Sequence, residues 1–267
     1  ADYTGFIRYR GFNDVRGGGH FSARLTAPLV FAGGLCLQYL AQNGIYIGAH
    51  LASVGNVEDA RYDDVALTPE ELLAPGKKQF PVIRGESGQK MKEVIEEARL
   101  DADSAGGIVE IGILGLPAGI GSPIFDTVEG RMAYGFYGIP AVKGVEFGAG
   151  FAASAMRGSE NNDEFYIAGD GSVKTKTNHH GGILGGITSG MPVIGAAVII
   201  KGTTIGTSTG VDGDFSLQVP PPSADAVLEI NYLGYEPIAQ AVGSRTNITF
   251  TLRESAVDVD AVVVTAL

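Results

Sequence analysis

The most constraining feature of this sequence is a change of texture near Pro192. Upstream, helix and strand signals alternate; downstream, the chain reads almost entirely as short strands separated by turns. Charge changes at the same place. Residues 1–191 carry 16 Lys and Arg against 22 Asp and Glu, whereas residues 192–267 carry 3 against 8. All four histidines, His20, His50, His179 and His180, precede the change. Two units are therefore expected, which suits a length of 267 residues. No internal repeat links them.

Composition narrows the function classes. With 45% hydrophobic and 18% charged residues, a packed core is feasible and disorder is not expected. The net charge of −11 argues against a nucleic-acid partner. One cysteine, Cys36, excludes an internal disulfide framework and a cysteine-based zinc cluster. No apolar run is expected to reach the ~18 residues of a spanning helix. The 40 glycines, about twice the usual share of ~7%, follow no collagen period and belong to turns and close backbone approaches. The opening Ala1, with neither Met nor a signal-peptide pattern after it, is expected to follow a missing N-terminal segment.

In the first part, Thr26 is a helix cap with Pro28 in the first turn and apolar residues through Leu40. Thr68-Pro69-Glu70-Glu71 is a stronger start signal, because Thr68 and Glu71 complete a capping box around Pro69. Ser87 opens a third helix with Met91, Val94, Ile95 and Ala98 on one face, ended by Ser104–Gly107; Ile108 to Leu116 then reads as a strand. In the second part strands are expected over Val193–Lys201, Thr203–Thr209, Phe215–Val219, Ala226–Tyr232, Ile238–Val242 and Asn247–Leu252. That spacing describes a small sandwich.

Residues able to carry chemistry lie mostly in the first part. Arg8, Arg10, Arg16 and Arg24 surround Gly17-Gly18-Gly19-His20-Phe21-Ser22. Glycine N–H groups and arginine forks suit phosphate and carboxylate oxygens; a solvated surface loop is an equal reading. His179-His180 sit in a glycine-rich turn, a polar loop near a ligand in preference to a metal pair, since no third ligand has a useful spacing. Lys143 and Glu146 are either substrate contacts or, more commonly, a salt-bridged strand end. Phosphate-loop, nucleophile-elbow and HExxH motifs do not occur. Asp212-Gly213-Asp214 is a hairpin turn and not a calcium loop.

Longer motifs point to two families. Arg16-Gly17-Gly18-Gly19-His20-Phe21-Ser22-Ala23-Arg24 resembles a signature of chorismate synthase. Gly121-Ser122-Pro123-Ile124-Phe125-Asp126, the run Ile139–Gly148, Gly158-Ser159, Asn162-Asp163-Glu164 and Asn178–Ile187 continue the resemblance in the family's order over residues 1–190. The resemblance implies elimination of phosphate from 5-enolpyruvylshikimate 3-phosphate to give chorismate, in the shikimate pathway, with reduced FMN and no net redox change. It implies flavin contacts at His20, Phe21, Ser22, Pro140, Ala141 and Gly185. It places Arg24, assisted by Arg16, on the anionic substrate. It also implies a cytoplasmic location and a homo-oligomer, a tetramer in the family.

The departures are as informative. The family's Gly-Glu-Ser-His-Gly segment, a second catalytic histidine preceding Ala-Asp-Tyr-Thr, and the Lys-Pro-Thr-Ser-Ser and Arg-His-Asp-Pro segments do not occur here. No catalytic residue is therefore assigned, the chain alone is expected not to turn over, and its incomplete core is expected to expose sheet edges and apolar surface.

From Met191 the sequence resembles the carboxypeptidase-regulatory-like domain of SusC-like TonB-dependent receptors. Pro192–Thr207, Asp212–Leu217, Tyr232-Leu233-Gly234-Tyr235 and the closing Val262–Leu267 carry the likeness. That implies outer-membrane or periplasmic parentage and an envelope partner if the domain is functional. The expected organisation is an α+β synthase-like fragment over 1–190, a β-sandwich over 191–258 and a TonB-box-like tail over 259–267. Gly190-Met191-Pro192-Val193 satisfies both families' patterns, and such a short shared sequence is where recombination, or an assembly error, joins two genes. Three readings follow: a synthase-family chain with a partial site, an envelope-binding module, and a chimera with no selected function.

Overall fold

A computed structural model describes residues 2–14, 18–199, 227–230, 238–241, 248–249 and 251. The first unit spans Ala1–Gly210 and the second Val211–Leu267.

The first unit is built on a five-stranded antiparallel sheet. Its strands are β1 (Tyr46–Val54), β2 (Val57–Glu58), β3 (Gly107–Leu114), β4 (Val142–Phe147) and, from much later in the chain, Val193–Ile199. With the short hairpins β5 (Phe165–Ile167)–β6 (Val173–Thr175) and β7 (Ile183–Leu184)–β8 (Ile187–Thr188) between, that last strand is β9. The order is β2-β1-β3-β9-β4. The helices are α1 (Asp2–Tyr9), α2 (Thr26–Gln42), α3 (Pro69–Leu73), α4 (Gly85–Leu100), α5 (Val128–Tyr137) and α6 (Gly158–Asn161).

Small residues bring α3 onto the sheet. A Cβ on Gly112 would stand 2.7 Å from Leu72 Cδ1, and one on Gly48 would meet the Leu72 carbonyl. Leu72 is fully buried there with Tyr62, Leu67, Leu114 and Ile194. The Thr68 capping box forms as the sequence requires: Glu71 N–H donates to Thr68 Oγ1 at 3.3 Å and Thr68 N–H to Glu71 Oε2 at 3.0 Å. Met91 of α4 closes a second cluster with Val54 and Val82. On the opposite face, Ile113, Val193 and Ile183 pack against Val128 and Met132 of α5.

Under α3 and α4 the sheet holds a buried polar group. His50 on β1 stands opposite Glu110 on β3. Its Nε2 lies 2.8 Å from Glu110 Oε2, and its Nδ1 lies 3.1 Å from the Leu51 carbonyl. Tyr62 N–H donates to the same carboxylate at 2.9 Å, and Arg61 Nη1 donates to Oε1 at 3.2 Å. Burial pushes the Glu110 carboxyl up; the His50 and Tyr62 hydrogen bonds and the neighbouring His50 and Arg61 outweigh it, so its pKa falls below the usual range. Burial, then the Glu110 charge, pushes the Tyr62 phenol up to about 12.

Three sequence expectations shift. Thr26 does not cap α2; it lies in the first turn and its hydroxyl donates to the Ala23 carbonyl, because a 3₁₀ turn at Ala23–Leu25 already leads into the helix. Ser87 is inside α4, which starts at Gly85 and ends at Leu100. Ala23–Gln42 is long and apolar enough to cross a membrane by length and composition, contrary to the expectation that no apolar run reaches that length. None of the α2 residues is buried, and Leu29, Val30, Phe31 and Tyr39 are all more than two-thirds exposed (68%, 71%, 74% and 68%), as the expectation of bare apolar surface requires.

The largest difference concerns β9. The expected boundary at 190/191 assigned this strand to the C-terminal sandwich. Its ladder bonds run to β3 and β4 instead. The reason is legible in Val-Ile-Gly-Ala-Ala-Val-Ile, which has no polar alternate positions and suits a strand covered on both faces. In the second unit, β10 (Val227–Ile230) and β11 (Ile238–Ala241) pair antiparallel within the strands expected there. The expected strands at 203–209 and 215–219 and the tail 259–267 lie outside the described residues. Within Asn247–Leu252, the described Ile248, Thr249 and Thr251 are not in a strand.

Candidate functional site

The arginine-glycine motif becomes two consecutive 3₁₀ turns, Gly19–Phe21 and Ala23–Leu25, at the mouth of α2. Ser22 joins them: its hydroxyl accepts from Arg24 N–H at 3.4 Å. Phe21 rests on α1, with its ring 3.0 Å from the point where Gly5 would carry a Cβ. The His20 ring stacks obliquely on Phe21 at 4.3 Å and meets the edge of Tyr9 at 5.4 Å. Phe21 still leaves 42% of its surface exposed. Arg24 is exposed and forms no ion pair with a described residue. Arg16 lies outside the described residues.

Pro140-Ala141 turns the chain from α5 into β4. Ala141 holds a left-handed φ of 71°, a strain of about 1 kcal/mol or more for a residue with a Cβ. Beyond it Lys143 is exposed, and Glu146 accepts from Phe151 N–H at 3.0 Å. The salt-bridged strand end expected from Lys143 and Glu146 is not formed among the described residues; Glu146 serves the start of the Gly150–Ala155 turn instead.

The glycine-rich stretch at 178–188 is held from several sides. Asn178 Nδ2 donates to the Asp64 and Pro192 carbonyls, both at 2.8 Å, and its Oδ1 accepts from Gly182 N–H at 2.8 Å. Gly181 and Gly182 have φ of 63° and 78°, and Cβ atoms there would collide with Gly148 and Pro192 backbone. Gly185 and Gly186 turn the β7–β8 hairpin; nothing lies within 4 Å of a Cβ position on Gly185. Gly186 O accepts from Val128 N–H at 3.0 Å, and Thr188 Oγ1 links Ile120 N–H to the Pro117 carbonyl. This ties the hairpin to the Gly121–Asp126 motif, which lines an open cleft of about 390 Å³ with Val128, Arg131 and Met132.

Asp163 gathers the two adjacent histidines. Its Oδ1 accepts from Thr177 Oγ1 at 2.6 Å and from His179 N–H at 2.9 Å; Oδ2 accepts from His180 N–H at 3.0 Å and also meets His180 Nδ1. Burial pushes this carboxyl up. The Thr177 hydroxyl, the two backbone N–H groups and the His180 ring outweigh it and hold the pKa at about 2. His180 Nε2 is buried and has no hydrogen-bond partner among the described residues. Among the described residues no three His, Cys, Asp or Glu side chains form a metal-holding group.

The structure thus places the candidate residues on three separate turns. His20, Phe21, Ser22 and Arg24 share one. Pro140 and Ala141 share a second, and Gly185 tips the third. Among the described residues, no hydrogen bond or ring contact joins the first turn to the other two. The His50–Glu110 group and the Asp163 hub were not singled out from sequence. For Asp163 a signal exists, since Asn162-Asp163-Glu164 and Asn178-His179-His180 both lie in quoted motifs. His50 has none.

Comparison with known proteins covers both textures. The chorismate synthase family model matches residues 1–211, and that of the CarboxypepD_reg-like domain matches residues 183–264. The chorismate synthase of Pyrococcus abyssi is 48% identical over 203 residues, covering 76% of this chain and 54% of that protein. That of Thermococcus gammatolerans is 44% identical over 203 residues, with the same 76% and 54%. The chain spans about half the length of the curated relatives it matches. A solved structure titled "Crystal Structure of Chorismate Synthase" superposes with a TM-score of 0.67 at 32% identity, over 73% of this chain and 61% of that one.

Proposed function

The chain belongs to the chorismate synthase family, and from this premise we propose that residues 1–190 present part of a site for reduced FMN and for 5-enolpyruvylshikimate 3-phosphate. The observation that carries the reading is the match over residues 1–211, within which the described candidate residues fall on turns, His20, Phe21, Arg24, Pro140 and Gly185 of them exposed. The turns suit a flat cofactor: Phe21 is partly exposed beside His20, and the space before Gly19 and Gly185 is open. His20, Phe21 and Ser22, with Pro140, Ala141 and Gly185, would hold the flavin. When bound, reduced flavin would supply electron density for breaking the substrate's carbon–oxygen bond to phosphate, with no net redox change.

The chain's own part is to bind and orient. Arg24, free of ion pairs among the described residues, offers its guanidinium fork to a phosphate or carboxylate, with Arg16 assisting. Turnover by the 267-residue polypeptide is not expected. The match to a second family begins at residue 183, the synthase match ends at residue 211, and the Lys-Pro-Thr-Ser-Ser flavin segment does not occur in the sequence. Titration of FMN, reduced under anaerobic conditions, against the full chain tests the reading. Weak binding that Arg24→Ala abolishes is expected; equal binding by both proteins overturns it. Chorismate production by the purified chain would overturn the expectation of inactivity.

A second reading rests on the match at 183–264. In it the C-terminal domain derives from a SusC-like TonB-dependent receptor and docks an envelope partner, while the first part derives from a cytoplasmic enzyme. A dispersed amide spectrum from residues 192–267 alone is expected on this reading, and a collapsed one opposes it.

A further inference from the structure

The two family matches overlap on residues 183–211, and β9 lies inside the overlap. In the structure both edges of β9 are occupied: Ala197 stands opposite Val109 of β3 and Val145 of β4. Each backbone N–H serves one ladder, so β9 in this position has no edge left for another sheet. In the second unit, the described strands β10 and β11 pair with each other. The sequence of β9 also fails to fix its own pairing. Val-Ile-Gly-Ala-Ala-Val-Ile has no polar face, and a strand without alternation accepts other partners and registers.

We propose that Val193–Ile199 is a strand shared by two folds, completing either the five-stranded sheet or the carboxypeptidase-regulatory-like domain, with both arrangements populated in the full chain. The two folds are then coupled in opposition. Whatever holds β9 between β3 and β4 withdraws it from the C-terminal domain, and its departure leaves β3 and β4 without a common neighbour. The inference rests on the two family matches and on the sheet pairing, and is independent of flavin binding.

A disulfide across β3 and β9 tests it in the full chain. In a Cys36→Ser background, one variant carries Ile108→Cys with Val198→Cys and another Val109→Cys with Ala197→Cys, both opposed pairs. Successive antiparallel pairs alternate in spacing, so the two variants sample both geometries. Hydrogen exchange read by mass spectrometry should show two isotopic envelopes over residues 227–241 in the reduced protein, and loss of the slower one on oxidation. A synthetic peptide of residues 192–201, added to the oxidised protein, should restore the slower envelope. A crosslink in neither variant overturns the proposal, because β9 then does not occupy the sheet. Identical envelopes in reduced and oxidised protein overturn it as well, and so does a peptide that restores nothing.

Discussion

Glu110 and Arg24 are both charged side chains of the first unit, and the structure treats them in opposite ways. Glu110 is 4% exposed and receives hydrogen bonds from His50, Tyr62 and Arg61, which come from a neighbouring strand and a distant loop. Arg24 is exposed on a 3₁₀ turn and pairs with no described residue. The first arrangement spends its charge on holding β1, β3 and the 59–62 loop together. The second leaves a charge unspent at a surface, which is the condition for binding a ligand. Glu110 thus represents residues that hold the fold, and Arg24 residues free to meet a ligand. The comparison can be broken by showing that a member of either set does the other's work.

The largest effect is expected at Glu110. Glu110→Ala removes the acceptor of three donors and leaves His50 Nε2 buried without its partner. Loss of one member of a buried pair costs about 3–5 kcal/mol, read as a lower urea midpoint. A shift below about 1 kcal/mol would mean that the group does not hold the sheet. Leu72→Ala follows at roughly 3 kcal/mol, because Gly48 and Gly112 have no side chains with which to fill the space. A smaller loss in the same unfolding measurement would show that α3 settles onto the sheet.

Asp163 stands between the two sets, since it lies in a motif and is held like a core residue. Its carboxylate is favoured by folding, so its contribution is complete above the ordinary carboxylate pKa and is lost as pH falls toward 2. With a drop from 3.8 to about 2, the stabilisation is roughly 2 kcal/mol. Unfolding measured between pH 5 and 2 should show that loss in the wild type and less of it in Asp163→Asn. The same slope in both proteins would detach Asp163 from acid unfolding.

What the sequence discloses divides along the same line. The Thr68 capping box is a local interaction and appears in the structure with the partners it names. The longer motifs are local as well, and the family was legible from them. The geometry of the candidate site was not, because the turns are closed by contacts far apart in sequence, such as Asn178 Nδ2 to the Asp64 carbonyl. His50 was illegible for the same reason. In Gly48-Ala49-His50-Leu51-Ala52 a lone histidine carries no spacing signal, and its partner is 60 residues away. The pairing of β9 with β3 and β4 was not legible because a short apolar run without alternation fits a central strand of either fold.

The smallest effect on stability, and the sharpest test of the comparison, is expected at Arg24. An exposed side chain without an ion pair contributes to folding within about 0.5 kcal/mol in either direction, so Arg24→Ala should leave the urea midpoint in place. Reduced FMN and inorganic phosphate should nonetheless bind less tightly to the variant, and added salt should weaken wild-type binding more than variant binding, because the lost contact is a screened charge. Arg24→Lys separates charge from shape: it keeps the charge and loses the planar fork, so affinity between wild type and alanine assigns part of the binding to bidentate geometry. If instead Arg24→Ala lowers stability by as much as Asp163→Asn while anion affinity is unchanged, the motif is a structural turn. The division between residues that hold the fold and residues that meet the ligand then fails at the residue chosen to represent it.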